Sequence, residues 1–331
     1  MSPLPTRLNC RTRVSVGDMY APADESRKGQ RPRPQLKSDA RSHLGRNCTP
    51  GAWLAQGAGR AQVHYRGSES VRTRGGIAMD QQGMSASRFG TRAANYLTSK
   101  VHATGADLER LKAMAGQLHP ERVLDLGCGA GHVSFALAHG GARRVTAYDP
   151  STEMLEVVEQ AAASRGCEQM IDTCVGAAEV LPFEANTFDL VVTRYSAHHW
   201  ASVPRALAEC ARVISPGGRL VVIDVIAPET PLFDTSLQVI EFLRDASHVR
   251  DYRVSEWRTM YKAAGFAEPT VTSWKLSIDF KSWVARIGTP PDRVAALESV
   301  FSELPSEARE YFRIGPEKSF VTDSSWIEAS S

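Results

Sequence analysis

At 331 residues with 42% hydrophobic side chains, the chain is long for one domain and has apolar material for a core of ordinary size. No apolar run approaches the roughly 18 residues of a membrane-spanning helix, and the opening stretch MSPLPTRLNCRTRVSVGDMY has no apolar segment suited to secretion, so neither stable membrane insertion nor export is expected. The net charge of +2 conceals a division, because residues 1–78 carry 14 Lys and Arg against 5 Asp and Glu (+9), whereas residues 79–331 carry 25 against 32 (−7).

Residues 1–78 contain no Phe and few branched aliphatics, so they cannot bury enough apolar surface to offset their ordering entropy and read as disordered. A basic nucleic-acid arm, an Arg-rich transit peptide and an over-extended start, with translation beginning at Met79 or Met84, all fit this composition. The disordered basic extension is drawn at 1–84 and the folded domain at 85–331, with 226–331 supplying lid helices and the last strands. The acidic balance of the folded part speaks against nucleic acid as its substrate.

Within the folded part, RFGTRAANYLTS places Phe89, Ala93 and Tyr96 at helical spacing, and GADLERLKAMAGQL puts Leu108, Leu111 and Ala115 on one face before Pro120 stops it. Strands follow at 122–126, 144–149, 187–193 and 219–225, with a weaker one at 171–176; helices lie between them at 131–139, 152–164 and 202–213. The strands are apolar nearly throughout, as in sheets covered on both faces. This βαβ alternation predicts an α/β fold, a doubly wound, mostly parallel sheet with helices on both faces and right-handed crossovers. SPGGR at 215–219 reads as a turn with Gly217 at positive φ. Beyond Asp224, helices are expected at PLFDTSLQVIEFLRD, at SEWRTMYKAAGF with Ser255 as N-cap and Gly265 closing it, and over 282–304 broken at Gly288-Thr289-Pro290-Pro291; TVTSWKLSIDF is strand-like.

Chemistry concentrates after the first strand. RVLDLGCGAGH carries Gly127, Gly129 and Gly131, a loop that lets a ligand approach bare backbone; His132 stands where a dinucleotide fingerprint wants its third glycine. Asp125, two residues before the loop, either fixes it or receives an ammonium. Asp149 ends the second strand, where a carboxylate can accept both hydroxyls of a ribose. DPSTEML then starts a helix capped by Ser151 or Thr152, with Pro150 at its approach and Met154 on its first turn, able to lie against a purine. Cys128 reads as a small filler in the loop. The six cysteines form no CxxC pair, which argues against a zinc site or a disulfide scaffold and fits a cytoplasmic protein.

VLDLGCGAGH, DPSTEML, AAEVLPF, TFDLVV and ARVISPGGRLVVID, in this order, resemble the class I S-adenosylmethionine-dependent methyltransferases, most of all the branch around the ubiquinone/menaquinone biosynthesis C-methyltransferases, over roughly residues 88–225. The resemblance implies a Rossmann-like fold, S-adenosylmethionine as cofactor and a small-molecule acceptor, quinol-like or phenolic. It implies that Gly127, Gly129 and Gly131 approach the methionyl part and that Asp149 binds the ribose. Ala177, Ala178 and Glu179 would line the adenine. Phe89, Ala93 and Tyr96 would lie on a helix closing over the methionyl end, with Arg92 near its carboxylate and Arg194 facing the same cavity. One departure is Gly176-Ala177-Ala178-Glu179 where many relatives read Gly-Asp-Ala-Glu; the Asp that accepts from the adenine amino group is missing.

RYSAHHW follows the fourth strand and so lies at the mouth of the site, offering His198 and His199 as a general base, or as turn-packing residues. A metal held by that pair is not expected, since adjacent residues on a turn point apart and no third ligand is evident. SHVRDYRVSEW contributes His248, Arg250, Asp251, Tyr252 and Arg253, which either contact an anionic or phenolic acceptor or form an ordinary solvated loop. A non-catalytic cofactor-binding module, a nicotinamide-dependent oxidoreductase and a methyltransferase acting on protein or nucleic acid remain as alternatives; His132 speaks against the second and the negative charge against nucleic acid.

Overall fold

The computed structural model describes residues 79–90 and 105–331, with the backbone of a two-stranded ladder at 72–73 and 76–77. The extension before Met79 otherwise lies outside the described residues, as do Arg92, Ala93 and Tyr96; its boundary at 84 is corrected, since residues 81–84 already belong to a helix. Among the described residues one sheet has seven strands: β1 Val123–Leu126, β2 Val145–Asp149, β3 Ile171–Val175, β4 Phe188–Arg194, β5 Ile214–Ile226, β6 Thr270–Ile278 and β7 Phe320–Ser330. Their order is β3-β2-β1-β4-β5-β7-β6. The first five pair in parallel, and β7 inserts antiparallel between β5 and β6.

Alternation along the strands sends side chains to two separate cores. Leu124, Val191, Leu220 and Val222 face α5 (Val203–Val213) and α7 (Val254–Ala263), which present Leu207, Cys210, Trp257 and Tyr261. Val123, Leu190, Val192, Val221 and Ile223 face α2 (Ala106–Leu118), α3 (His132–Gly140) and α4 (Thr152–Ser164), which present Leu111, Phe135, Leu137 and Val158. Because strands buried on both faces must be apolar at nearly every position, the central strands read as continuous apolar runs. A third core, built on Leu237, Ile240, Trp283, Leu297 and Phe301, joins α6 (Pro231–Arg244), α8 (Phe280–Ile287) and α9 (Pro291–Glu303) with α10 (Ser306–Tyr311).

Three local expectations are corrected. The first helix, α1, runs Gln81–Gly90, ahead of the span predicted from Phe89 onward. SPGGR does not end the strand: Phe188 pairs with Ile214 and Leu190 with Arg219, so residues 215–218 bulge opposite Asp189 inside β5, with Gly217 at φ 77° as its composition requires. Ser255 does not cap α7; Arg253 occupies the N-cap, its backbone N–H held by Glu256, while Ser255 donates its N–H and hydroxyl to Glu229.

Helices α2 and α3 pack closest at Gly140, where an added Cβ would lie 2.5 Å from the Lys112 carbonyl oxygen and 2.9 Å from the Ala115 Cβ. Gly140→Ala is therefore expected to lower the unfolding free energy by about 1–3 kcal/mol in urea titration, through overpacking of backbone that cannot yield; an unchanged midpoint would contradict this packing.

Candidate functional site

The glycine loop is held from both sides. The Gly127 and Cys128 N–H groups donate to the Tyr148 carbonyl at 2.8 and 3.1 Å, and the Gly129 N–H donates to Asp149 Oδ2 at 2.9 Å. Gly127, Gly129 and Gly131 all take positive φ, which side chains with a Cβ rarely adopt. A Cβ on Gly129 would meet nothing within 4 Å, so the space on its side-chain side is open. Asp125 is buried on the α3 face; its Oδ2 accepts the Ser134 N–H at 2.9 Å and the Ser134 hydroxyl at 2.6 Å, pinning the first turn of α3. Its Oδ1 is buried with no partner among the described residues. Burial pushes the Asp125 carboxyl up to about 7 against the lowering effect of the Ser134 bonds, and pushes Asp149 up to about 6.

Asp149 also accepts the Ser151 N–H on Oδ1 at 2.9 Å, and Ser151 caps α4 by accepting from Met154 N. Pro150 joins the two. Met154 is buried against Ala130, Phe89 and Val157, so Phe89 of α1 does reach the donor side of the loop. Across the edge, the Tyr148 hydroxyl donates towards the Ala177 and Val180 carbonyls at 3.2 and 3.1 Å, holding the 177–180 turn.

The opposite end of the edge is built from histidines and carboxylates. Tyr195, at φ 51°, turns the chain sharply after β4, and the turn Ala197–His199 follows. His198 Nδ1 lies 2.6 Å from Asp224 Oδ1 at the end of β5, and the His198 N–H reaches Asp224 Oδ2 at 3.3 Å. The His198 carbonyl accepts from Val249 and Arg250 N–H groups, tying in the loop before α7. His199 Nδ1 faces the Ser247 carbonyl at 3.0 Å, and its ring meets Phe89 edge-on at 4.9 Å between centroids. His248 stands 5.6 Å from His198, ring to ring. Burial opposes the proton on His198, yet Asp224, Asp251 and Glu241 together hold that imidazole up to about 9. Burial, joined by the charge of His198, drives His199 down to about 4 and His248 down to about 2. Burial and the charge of Glu241 push the Asp251 carboxyl far above the usual range.

Helix α1 bridges the two ends. The Gln81 amide donates to the His199 and Ser247 carbonyls at 3.0 and 2.5 Å, and Arg88 reaches the Arg244 carbonyl and Asp245. Arg194 bonds Asp107 through Nε at 2.5 Å and its guanidinium lies over the Tyr195 ring, while its charge also acts on Asp125. Glu179 does not reach toward the purine side; its carboxylate accepts the Ser202 N–H at the start of α5. Cys128 is buried with its thiol pushed well up, as a filler and not a nucleophile would be. Arg250 pairs with Asp234 and Glu256, and Arg253 with Glu256, so the loop's cations face outward while Asp251 and His248 face in. The expectation of no third ligand beside the histidines is also corrected, since His198, Asp224 and Asp251 each bring a ligand-type atom within 4.8 Å of the others. Asp224 could have been singled out by the argument used for Asp149, a carboxylate closing a parallel strand; Asp251 carried no such signal.

A sequence model described as a methyltransferase domain matches residues 124–222. The chain is 44% identical over 185 residues to the uncharacterized protein YafE of Escherichia coli, spanning 56% of this chain and 89% of that one. It is 37% identical over 226 residues to the uncharacterized methyltransferase YcgJ of Bacillus subtilis, spanning 68% and 88%. The crystal structure of YcgJ superposes with a TM-score of 0.63 at 34% identity, covering 67% of this chain and 97% of that one. The ubiquinone/menaquinone biosynthesis C-methyltransferase UbiE of Francisella philomiragia matches at 32% over 122 residues, 36% of this chain and 49% of that one.

A carboxyl raised from 3.8 to about 7 makes the folded state bind a proton more tightly than the unfolded chain. Its contribution to stability is fully present below about pH 4 and is lost as pH rises through 7. Asp125→Asn removes this dependence, and so is expected to gain about 2–4 kcal/mol on the wild type between pH 4 and pH 8, read as the difference of their urea unfolding free energies. A constant difference would show that Asp125 is not held neutral.

Proposed function

The chain belongs to the class I S-adenosylmethionine-dependent methyltransferases, and on that premise we propose that it methylates a small-molecule acceptor, quinol-like or phenolic, at the His198 end of the site. We place this activity in the cytoplasm and in residues 85–331. Among the described residues no helix is long and apolar enough to cross a membrane. The −7 balance of the folded part supports a small molecule over nucleic acid.

When bound, S-adenosylmethionine supplies a sulfonium methyl group already activated for displacement. The protein's part is then alignment, exclusion of water and handling of the acceptor's proton. The residues present suit this cofactor. The open space beside the Gly129 Cα and the unpartnered Asp125 Oδ1 match a ligand carrying an ammonium. Asp149 uses two of its four lone-pair positions on Gly129 and Ser151, which leaves two for ribose hydroxyls. Pro150 and Met154 would flank the purine, with Ala177 and Ala178 lining it. With Glu179 turned to Ser202, the purine amino group has no side-chain acceptor from this turn. Arg92 and Tyr96 are kept as methionyl contacts on the resemblance alone, and Arg194 is better assigned to holding Asp107.

The observation that carries the acceptor end is the 2.6 Å contact between His198 Nδ1 and Asp224. It fixes the ring so that Nε2 is the nitrogen left to meet an acceptor hydroxyl, on the same sheet edge as the glycine loop; with the imidazole held up to about 9, Nε2 would donate to the acceptor oxygen at neutral pH and take its proton only as pH rises through 9. His199, bound to Ser247 and packed on Phe89, is assigned to anchoring the loop.

Two outcomes are expected. Calorimetric titration should detect S-adenosylmethionine and S-adenosylhomocysteine but not NADH, with affinity lost by about tenfold or more in Asp149→Ala; NADH binding would favour the oxidoreductase instead. With methyl-labelled cofactor and a panel of phenols and quinols, His198→Gln should lower kcat by about 10²–10⁴-fold with S-adenosylhomocysteine affinity unchanged. Cofactor binding with no turnover on the panel would favour a binding module, and full turnover by the variant would remove His198 from the chemistry.

A further inference from the structure

We propose that His198, Asp224 and Asp251 form a site for one divalent transition-metal ion, Mn²⁺ or Zn²⁺, with a coordination position open to an oxygen of the acceptor; this rests on reading the His198 end as the acceptor end. The three side chains come from three elements: the turn after β4, the end of β5 and the loop before α7. One ligand-type atom from each lies within 4.8 Å of the other two. The carboxylates are deeply placed, Asp224 at 2% and Asp251 at 1% exposure.

A second observation points to a ligand. Asp251 Oδ2 is buried and has no hydrogen-bond partner among the described residues; His248 Nε2 is 3.7 Å away, beyond bonding distance. The neighbouring cations are committed elsewhere. Arg250 pairs with Asp234 and Glu256, Arg253 with Glu256, Arg244 with Glu241, and Arg88 with Asp245. No Lys or Arg among the described residues pairs with Asp224 or Asp251, whose nearest positively inclined neighbours are the imidazoles of His198 and His248. Buried carboxylates in such a setting are paired or coordinate a metal.

The scaffold is also fixed ahead of any ion. The Asp251 backbone is clamped by one side chain, its N–H donating to Gln238 Oε1 at 3.1 Å and its carbonyl accepting from Gln238 Nε2 at 2.8 Å. The His198 backbone is held to Asp224 and to the loop at 249–250. The supports are thus saturated while the ligand atoms converge, which is the division of labour a metal site needs. The His198–Asp224 hydrogen bond is the arrangement of the pair without an ion; binding would replace its proton. An imidazole with two carboxylates suits Mn²⁺ or Zn²⁺ better than Mg²⁺, which favours oxygen ligands and retains its waters. Three protein ligands leave room for an exchangeable one, as in catalytic sites.

The test uses the full chain, stripped with chelator and desalted, then titrated calorimetrically with MnCl₂ and with ZnCl₂, each beside Asp251→Asn and His198→Gln. Titration with S-adenosylhomocysteine reports whether each protein is folded. One equivalent of either ion is expected, weakened by about tenfold or more in both variants, with nucleoside affinity unchanged. Should Asp251→Asn lose nucleoside binding, His198→Gln decides. Wild-type protein that binds the nucleoside but neither ion overturns the inference and leaves the methyltransferase reading standing. Binding equally tight in the variants also overturns it, by locating the ion at other histidines.

Discussion

Parallel pairing of β2, β1, β4 and β5 is the constraint on which the rest of the site depends. Because these strands run the same way in register, Leu126 beside Tyr148 and Asp125 beside Val192, their carboxyl ends open along one edge. Four of the functional positions follow from that edge: the glycine loop after β1, Asp149 at the end of β2, His198 after β4 and Asp224 near the end of β5. Ligands of open α/β sheets bind there because the chain leaves each strand at that edge as an adjustable loop. The antiparallel β7 closes the sheet beyond β5 without adding to the edge, and Tyr195 Oη meets Ser324 of that strand at 3.3 Å.

The edge gathers buried acids, and each is satisfied differently. Asp149 is met by two backbone N–H groups, and Asp125 by one serine through two donors. Asp224 is met by an imidazole and by its neighbour's N–H, while Asp251, like Asp125, keeps one oxygen with no hydrogen-bond partner among the described residues. Buried carboxylates left short of donors are raised in pKa or drawn to a cation. On the proposed reading, the glycine-loop end would suit a ligand bearing an ammonium and hydroxyls, and the histidine end a cation. The nearby arginines are taken up by other acids, Arg250 by Asp234 and Arg88 by Asp245, and none among the described residues pairs with Asp251.

Much of this fold was legible in the sequence because strands covered on both faces must be apolar throughout, and because Gly127, Gly129 and Gly131 are required where the loop takes positive φ. Asp149 was legible for the same geometric reason. What stayed hidden depends on partners distant in the chain. Nothing near Arg194 announces Asp107, and nothing near Glu179 announces Ser202. The cluster at 247–253 reads either as contacts for an anionic or phenolic acceptor or as an ordinary solvated loop, but Asp234 and Glu256 take up its arginines and leave the acid and the histidine buried. The tail at 226–331 is expected to supply the last strands, but the strand at Phe320–Ser330 is not located from the sequence, because Asp323, Ser324 and Ser325 break the apolar pattern, although sheet bonds and hydroxyl contacts satisfy them.

Helix α1 touches both ends at once, through Phe89 against Met154 and through Gln81 on the His199 and Ser247 carbonyls. Donor loop and histidine cluster would then be two ends of one cavity beneath this helix. The most direct measurement is a crystal structure of the full chain with S-adenosylhomocysteine. The expected result is a nucleoside along the glycine loop with its sulfur directed toward His198 Nε2. A sulfur directed away from His198, or separated from it by α1, would contradict the claim that donor and acceptor meet at this edge.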